Sequence, residues 1–227
     1  MSTGKHIRTI KSYVVRGGRL TQSQQKALDK LWPSLGLDRQ NGVIDVEDVF
    51  VNDNPLVFEI GFGMGDSLAQ MAKDNPDHNF IGVDVHLPGI GTLLRKIDEM
   101  NLCNIRVFQD DAKLVLEECI TNSSIAKVQI FFPDPWHKKR HHKRRLIQAD
   151  FIQSLLPKIK KGGLIHLATD WKEYADQMME VLCDTKELIN QTGSSNFTKE
   201  YLRPVTKFQR RGEKLGHGVW DLIFYKK

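Results

Sequence analysis

The sequence predicts a doubly wound α/β fold with one mostly parallel, seven-stranded sheet. From residue 56 onwards, short β-branched or aromatic runs alternate with segments whose apolar residues recur at helical spacing. The runs are apolar almost throughout, which is typical of parallel strands that helices cover on both faces. After the fifth strand and helix, the period-2 pattern of VWDLIFY predicts a C-terminal antiparallel hairpin that closes the sheet.

Each predicted element follows from a local pattern. Runs rich in Val, Ile, Leu and Phe predict parallel strands at 56–60, 79–85, 104–109, 127–132 and 163–169. Apolar residues at helical spacing predict helices at 66–74, 89–101, 112–120, 145–160 and 171–183. The C-terminal hairpin is predicted from strands near 197–202 and at 218–225.

The first fifty residues are less regular. Residues 21–30 predict a short helix, but residues 1–20 have no periodic apolar stripe and are expected to be disordered or ordered only on a partner. We therefore expect a basic, partly flexible N-terminal extension at 1–50. Residues 51–227 are expected to form one α/β domain, which is long enough for a full hydrophobic core.

Positive charge is concentrated in two places. The chain has 33 Lys and Arg residues against 28 Asp and Glu residues. The first twenty residues contain five cations and no acid, and residues 138–145, called the basic run below, contain six cations and two histidines. A charge run can be only a solvated face, but two such clusters favour an anionic partner such as nucleic acid.

Composition also argues against several classes of protein. The three cysteines are far apart and form no CxxC pair, so we expect core thiols rather than disulfides or a zinc site. The histidines have no acidic or cysteine partners at ligand spacing, and no metal is expected. Without an apolar signal core or a membrane-spanning stretch, a cytoplasmic protein is expected. No long apolar stripe demands a dimer, so a monomer is the simplest expectation.

A glycine-rich turn follows the first parallel strand. Glu59, Gly61, Gly63 and Gly65 form the pattern E-x-G-x-G-x-G. A dinucleotide fingerprint has the wider spacing G-x-G-x-x-G, so this turn disfavours a nicotinamide oxidoreductase. The adjacent acid would repel a phosphate but suits a cationic ligand that carries an amine. S-adenosylmethionine has a sulfonium, an ammonium and no phosphate, and it is the predicted ligand.

Two further acids follow the next two strands. Asp84 ends the second strand, 19 residues after Gly65, where an acid typically meets ribose hydroxyls in nucleotide-binding sheets. Asp111 follows the third strand, where it could hold the exocyclic amine of an adenine. Asp111 is also a suitable N-cap for the helix that follows. Because open α/β sheets bind ligands at the carboxyl ends of their strands, these acids favour one shared site.

The fourth strand leads to the sequence Pro-Asp-Pro-Trp at residues 133–136. Each proline restricts the residue before it, so Phe132 and Asp134 are expected to be extended and the loop to be stiff. Trp136 could stack on a planar ring, which contributes about 1–3 kcal/mol for a nucleic-acid base. An ordinary turn with a half-buried tryptophan is the alternative. The loop resembles the D/N-P-P-Y/F/W loop of amino methyltransferases.

Five segments together resemble the bacterial tRNA (guanine-N7)-methyltransferases. They are FEIGFGMG, FFPDPWHKKRHHKRR, HLATDW, RPVTKFQRRG and LGHGVWDL, and the resemblance covers roughly residues 7–225. It implies a class I methyltransferase sheet, with 51–227 as the S-adenosylmethionine-dependent domain. It also implies S-adenosylmethionine as the donor and a guanine in the tRNA variable loop as the acceptor.

The resemblance also implies roles for individual residues. The implied donor contacts, besides the glycine turn, are Glu59, Asp84, Asp111 and Asp134, with Asp134 also the catalytic residue. The implied guanine and tRNA contacts are Lys138, Asp170, Thr206, Lys207, Phe208 and Gln209, with backbone phosphates bound by Arg140, Lys143, Arg144 and Arg145. Asp84 and Gln209 stand where glutamate is more usual in the family.

The chemistry of guanine N7 agrees with this interpretation. N7 carries a lone pair and no proton, so methyl transfer requires an in-line approach rather than a general base. Contacts to the Watson–Crick edge leave N7 free, and Asp170 or Gln209 could accept hydrogen bonds from that edge. Our hypothesis is that Asp134 positions the reactants and offsets the charge that develops on the purine. Methylation of an exocyclic amine and a non-catalytic, donor-binding RNA module remain the alternatives.

Overall fold

A computed structural model describes residues 11–14, 17–198, 203–204, 209 and 218–227. The helices in these residues are α1 (Gln22–Leu35), α2 (Val46–Phe50), α3 (Asp66–Asp74), α4 (Leu87–Met100), α5 (Ala112–Glu118), α6 (Ala149–Leu155) and α7 (Lys172–Cys183). The strands are β1 (Gly36–Leu37), β2 (Leu56–Ile60), β3 (Asn79–Val83), β4 (Ile105–Phe108), β5 (Ile125–Phe131), β6 (Ile159–Thr169), β7 (Leu188–Asn190) and β8 (Trp220–Lys226). Short 3-10 helices lie at Arg39–Asn41, Lys139–Arg144 and Leu156–Lys158.

The strands form one sheet in the order β1-β4-β3-β2-β5-β6-β8-β7. All neighbours from β1 to β6 pair in parallel, while β8 is antiparallel to β6 and to β7. The predicted doubly wound, mostly parallel fold is therefore confirmed. The described part of the chain has eight strands rather than seven because Gly36 and Leu37 pair with β4 at the edge of the sheet. This strand was not predicted because a strand of two residues is too short to show a periodic pattern.

The C-terminal antiparallel pairing is confirmed, but the partner strand of β8 in the described residues is β7 rather than a strand at 197–202. β8 pairs with β7, with Leu188 opposite Lys226 and Asn190 opposite Phe224. Near the predicted strand at 197–202, Thr198 makes a single bridge to Asp221, and residues 199–202 lie outside the described part. A strand of only three residues is too short for a period-2 pattern to reveal.

Two helix predictions and one burial prediction also need correction. The segment predicted as a helix at 145–160 is α-helical only over α6. The helix begins late because Arg145 and Gln148 have non-helical ψ angles of 136° and 160°. The helix ends early because a 3-10 turn containing Pro157 follows α6. The helix predicted at 21–30 continues to Leu35. Of the three cysteines, only Cys119 is buried.

Helices cover both faces of the sheet. On one face, Phe58 and Ile81 pack in a core with residues of α5, α6 and α7. On the other face, Val57 and Phe80 pack with residues of α1, α3 and α4. Adjacent strand residues therefore point into opposite cores, which is why β2 and β3 are buried at every position.

The N-terminal helix α1 packs closely on α4. The side-chain amide of Gln24 donates to Thr92 Oγ1 at 2.9 Å and to the carbonyl of Pro88 at 3.1 Å. A Cβ atom at Gly91 would lie 2.9 Å from the Cβ of Gln24, so the glycine permits this approach. Residues from Gln22 onwards thus belong to the packed body of the protein.

The chain order reverses between β2 and β5. From β2 the chain moves outward through β3 and β4 and then crosses to β5 on the other side. Ligands bind open α/β sheets in the crevice at such a switch point, outside the carboxyl ends of the strands. None of the helices in the described ranges combines the length and the apolar character needed to cross a bilayer.

Candidate active site

A cavity of about 350 Å³ lies at the switch point, at the carboxyl ends of β2, β3 and β5. We call it the edge cavity. Its lining includes five residues that the sequence predicted for the site, namely Gly61, Gly63, Asp84, Asp111 and Asp134. The glycine turn, the two strand-end acids and the proline loop therefore meet in one place, as predicted.

The glycine turn leaves open space for a ligand. Gly61 and Gly63 have φ angles of 76° and 59°, and a Cβ atom added to either would meet no atom within 4 Å. Both therefore present bare backbone to the edge cavity. Gly65 differs, since its added Cβ would lie 2.8 Å from the side chain of Leu93. Gly65 thus serves the packing of α3 against α4.

Asp84 is fixed by the backbone on either side of the cavity. Its Oδ2 accepts a hydrogen bond from the Gly63 amide at 2.8 Å, and its Oδ1 accepts one from the His86 amide at 2.9 Å. Burial raises the pKa of Asp84, although these backbone hydrogen bonds oppose the increase. A carboxylate has about four acceptor positions, so Asp84 can still accept hydrogen bonds from ligand hydroxyls.

Glu59 lies inside the sheet beneath the turn rather than in the cavity lining. It is 3% exposed, and among the described residues its Oε2 has no hydrogen-bond partner. Burial raises the pKa of Glu59 to about 8, while the positive charge of Lys127 acts in the opposite direction. The donor contact that the resemblance implies for Glu59 stays a prediction.

Asp111 serves as the N-cap of α5, and its contact to an adenine amine stays a prediction. Its Oδ1 accepts a hydrogen bond from the Lys113 amide at 3.0 Å and caps α5. The side chain also lines the edge cavity next to Tyr13. Burial, and then the charge of Asp111, raise the pKa of the Tyr13 phenol. The N-terminal residues 12–14 therefore form part of the cavity wall, which the sequence did not predict.

The proline loop is less regular than predicted. Phe132 has a φ of 53° and Trp136 a φ of 46°, so the expectation that Phe132 is extended is wrong. The Phe132 amide donates to the carbonyl of Ala168 at 2.7 Å, which ties the loop to β6. Left-handed backbone at such bulky residues costs about 1–3 kcal/mol each and is typical of functional sites. Asp134 is exposed and has no hydrogen-bond partner in the described part of the chain.

Trp136 is already engaged within the protein. The guanidinium of Arg144 lies 3.7 Å from its ring centroid, and its indole nitrogen donates to the Ser12 carbonyl at 3.0 Å. Arg144 also donates to the carbonyls of Lys11 and Tyr13, at 3.1 and 3.2 Å. These contacts hold segment 11–14 over the edge cavity.

The basic run divides into exposed and buried cations. Its 3-10 helix, Lys139–Arg144, begins directly after the proline loop. The exposed cations of the run are Lys138, Lys139, Arg140 and Lys143. Arg144 is engaged as described above, and Arg145 is 2% exposed. Only the exposed four are free to meet phosphates, so the implied phosphate role of Arg145 disagrees with its position.

Comparison with known proteins identifies the family. Residues 53–222 match the family described as "Putative methyltransferase". Curated tRNA (guanine-N(7)-)-methyltransferases of Alcanivorax borkumensis and Neisseria meningitidis are each 53% identical, over 99% and 96% of this chain and 95% and 92% of their own lengths. That of Pseudoalteromonas translucida is 51% identical over 97% of this chain and 92% of its own length. The chain belongs to the tRNA (guanine-N7)-methyltransferase family.

Solved structures agree with this fold assignment. The 16S rRNA methyltransferase KamB superposes with a TM-score of 0.59 at 13% identity, covering 82% of this chain and 94% of its own. A SAM-dependent methyltransferase from Aquifex aeolicus superposes with a TM-score of 0.53 at 12% identity, covering 90% and 97%. The tRNA (guanine-N7)-methyltransferase chain thus has the class I methyltransferase fold that the resemblance implied.

The C-terminal residues that this family resemblance assigned to the guanine are only partly described. Thr206, Lys207 and Phe208 lie outside the described residues. Gln209 is 1% exposed, and its Oε1 accepts a hydrogen bond from Arg203 at 2.7 Å. The contact that the resemblance implies for Gln209 stays a prediction.

Asp170 lies at the carboxyl end of β6 and is half-buried. Trp171 and not Asp170 occupies the N-cap of α7, so the carboxylate is not used as a cap. The rings of Trp171 and His137 meet edge to face at 4.2 Å. That contact joins the residue after Asp170 to the residue after the proline loop.

Sequence reasoning missed a buried ion cluster behind the proline loop. Arg203 donates to both carboxylate oxygens of Asp221, at 2.8 and 2.9 Å, and His166 Nε2 donates to the same carboxylate at 2.8 Å. Burial acts to raise the pKa of Asp221, but the hydrogen bonds from His166 and Arg203 lower it overall. The guanidinium also lies 5.1 Å from the ring of Phe132. The alternating pattern of β8 marks Asp221 as a strand residue but does not reveal its partners.

Proposed function

We propose that this protein transfers a methyl group from S-adenosylmethionine to N7 of a guanine in the variable loop of tRNA. The observation that carries the proposal is the juxtaposition of an acid-lined cavity, the exposed Asp134 at its rim and exposed cations directly after the same loop. The full-length similarity to curated tRNA (guanine-N(7)-)-methyltransferases supports the proposal.

The residues of the edge cavity fit an adenosyl sulfonium donor. Gly61 and Gly63 leave space beside the backbone, and Asp84 retains acceptor positions for ribose hydroxyls. Asp111 lies where it can accept a hydrogen bond from the adenine amine. The charged groups Asp84 and Asp111 in the cavity lining are acids, which suits a cationic ligand better than a phosphate. When bound, the donor supplies an electrophilic methyl group on a positively charged sulfur.

The reaction needs orientation more than proton transfer. The lone pair of guanine N7 forms the new bond to the methyl carbon, the carbon–sulfur bond breaks, and its electron pair remains on sulfur. Positive charge thereby moves from the sulfur to the purine, and no proton leaves in this step. Asp134 orients the reactants and offsets the charge on the purine, which fits its position at the cavity rim.

The acceptor is held by its Watson–Crick edge and its phosphates. Asp170 accepts hydrogen bonds from N1–H and the N2 amine of guanine, so that N7 faces the methyl group of S-adenosylmethionine. By resemblance, Thr206, Lys207 and Phe208 contribute to the same pocket. The four exposed cations of the basic run, Lys138, Lys139, Arg140 and Lys143, bind the tRNA backbone. We further propose that the enzyme acts as a monomer in the cytoplasm, with 51–227 as a methyltransferase domain that the packed residues 22–50 extend.

Product analysis tests this function. Purified protein, labelled S-adenosylmethionine and unmodified tRNA are incubated, and the tRNA is then reduced and treated with aniline. N7-methylguanosine makes the backbone labile to this treatment, so strand cleavage at one variable-loop guanine is the expected result. Label without cleavage would exclude N7 as the acceptor and would leave methylation of an exocyclic amine as the alternative, which identification of the labelled nucleoside would test. Donor binding without any label would favour the non-catalytic RNA-binding alternative.

A further inference from the structure

Arg145 differs from every other described cation of the basic run. It is 2% exposed, whereas Lys138, Lys139, Arg140 and Lys143 are exposed. The 3-10 helix ends just before it, and its own backbone is extended, with a ψ of 136°. The Arg145 side chain therefore points into the protein, whereas Lys138, Lys139, Arg140 and Lys143 face solvent.

The guanidinium of Arg145 is hydrogen-bonded to the proline loop. Its Nε donates to the carbonyl of Pro135 at 2.8 Å, one residue after Asp134. Pro133 and Pro135 each have a fixed φ, so few backbone torsions between them remain free. A fixed Pro135 carbonyl therefore restricts the position of the Asp134 carboxylate.

The other groups around the guanidinium come from α7 and from the basic run itself. Its NH1 donates to Gln177 Oε1 at 2.6 Å, and its NH2 lies 3.1 Å from His142 Nε2 and 3.6 Å from the Glu173 carboxylate. The guanidinium carbon lies 4.8 Å from the ring centroid of Tyr174. A planar guanidinium with five donors can hold all of these groups in one fixed geometry.

The same contacts join two elements of the proposed acceptor site. α7 begins at Lys172, two residues after Asp170, and carries Gln177. The proline loop carries Asp134. Arg145 thus connects α7, the helix that follows Asp170, to the loop that carries Asp134.

We propose that Arg145 is a positioning residue for methyl transfer, which fixes the Pro135 carbonyl and thereby Asp134, and that it does not bind tRNA phosphate. This inference rests on the proposed function, because it assigns Arg145 a part in that reaction. The exposed cations of the basic run then bind phosphates, while Arg145 in the same short segment positions Asp134.

Three variants and one control separate positioning from phosphate binding. Arg145→Met removes the guanidinium and its hydrogen bonds. Arg145→Lys retains one donor nitrogen, and Gln177→Ala removes one hydrogen-bond acceptor of the guanidinium. Lys160→Met, at an exposed lysine where β6 begins, controls for the loss of one positive charge. For each protein we would measure the melting temperature, kcat and KM with tRNA, and the dependence of tRNA affinity on salt.

A positioning role predicts a loss of kcat in folded protein. A shift of about 1 Å in a reacting group costs on the order of 100-fold, so kcat of Arg145→Met should fall by about that factor. Gln177→Ala should give a smaller fall, and Arg145→Lys a partial recovery. The salt slope of tRNA binding should remain that of the wild type in all three.

The contrary results are distinct from one another. A salt slope reduced by about one in Arg145→Met, with kcat retained, would make Arg145 a phosphate contact and overturn the inference. If Arg145→Met does not fold, an unchanged kcat in Gln177→Ala and Arg145→Lys would overturn it instead. A wild-type enzyme that makes no N7-methylguanosine would refute the proposed function, whereas an active wild type beside a fully active Arg145→Met would refute this inference alone.

Discussion

The guanidinium of Arg144 stacks on the indole of Trp136, 3.7 Å from the ring centroid, and both side chains bind the backbone of segment 11–14. A basic-run residue and a loop residue thus hold the N-terminal segment across the edge cavity. Trp136 was expected to stack on a base, but in this arrangement Arg144 occupies one of its faces.

Loss of the Trp136 indole should release segment 11–14. The stacking contributes about 0.5–2 kcal/mol and the hydrogen bond to Ser12 about 1 kcal/mol, so Trp136→Ala should speed local opening by roughly tenfold or more. Limited trypsin digestion reports this as faster cleavage after the exposed Lys11. Trp136→Phe keeps a ring and should be intermediate, and an unchanged cleavage rate in Trp136→Ala would contradict the prediction.

Asp84 should govern donor affinity. Hydrogen bonds to a charged group contribute about 1.5–3 kcal/mol, so Asp84→Ala should weaken binding of S-adenosylhomocysteine by roughly 10- to 150-fold. Calorimetric titration measures this, with tRNA affinity as the internal control. Asp84→Glu, the residue more usual in the family, should bind the ligand within about fivefold of the wild type. Equal affinity in Asp84→Ala would remove Asp84 from the donor site.

Glu59 should make the protein less stable as pH rises. Its pKa in the folded protein is about 8 instead of the ordinary 4.5, so the folded state binds more protons than the unfolded state between these values. Stability from this group is therefore greatest below about pH 4.5 and is lost as pH rises to about 8.

Glu59→Gln should remove this dependence. The free energy of unfolding of the variant should exceed that of the wild type near pH 8 by on the order of 1–4 kcal/mol, and the difference should shrink toward pH 5. Urea denaturation at several pH values measures it. A wild type whose stability rises over the same range relative to the variant would show that Glu59 is ionised and well paired.

The buried pair of Arg203 and Asp221 should be costly to break. Removing one partner of a buried pair costs about 3–5 kcal/mol, because the other charge is left without compensation. Asp221→Asn should lower the free energy of unfolding by about that amount in denaturant titrations. The exposed pair of Lys30 and Asp98, 3.0 Å apart, is the matched control, and Asp98→Asn should cost less than about 1 kcal/mol. Similar costs for both would contradict the prediction.

The four exposed cations of the basic run should set the salt dependence of tRNA binding. Each phosphate contact contributes roughly 0.7–0.9 to the slope of log K against log salt, so replacing Lys138, Lys139, Arg140 and Lys143 by Ala should reduce the slope by about 3. Donor affinity should be retained. Four exposed lysines near the amino ends of the strands, Lys73, Lys160, Lys161 and Lys186, form the control set. Equal slopes in both quadruple variants would make the basic run an ordinary solvated face.

The sequence predicted most of the fold because its signals are local and strong. The apolar runs of β2 and β3 are buried at every position, and E-x-G-x-G-x-G marks the turn directly. Three-residue β7 and two-residue β1 carry no such signal. The helix prediction from residue 145 failed because Arg145, Leu146 and Ile147 are buried by tertiary contacts in a non-helical segment, and consecutive buried residues also fit a helix.

The site was predictable by position but not by contact. Strand-end acids and the proline loop meet as expected, since parallel strands bring their carboxyl ends to one edge. A run of six cations does not show by its sequence which of the six side chains face solvent. The Arg145 side chain points into the protein because it donates hydrogen bonds to Pro135 and Gln177. Tyr13 is separated from Asp111 by about a hundred residues, and no local pattern connects them.

The most direct test of the account is the single-turnover rate of N7-methylguanosine formation in tRNA by the wild type and by Asp134→Ala, with donor and tRNA at saturating concentrations. We predict that the wild type forms N7-methylguanosine. The rate in Asp134→Ala should fall by on the order of 100-fold or more, and the variant should still bind tRNA. A wild type that forms no N7-methylguanosine, or a variant that forms it at the wild-type rate, would contradict this prediction.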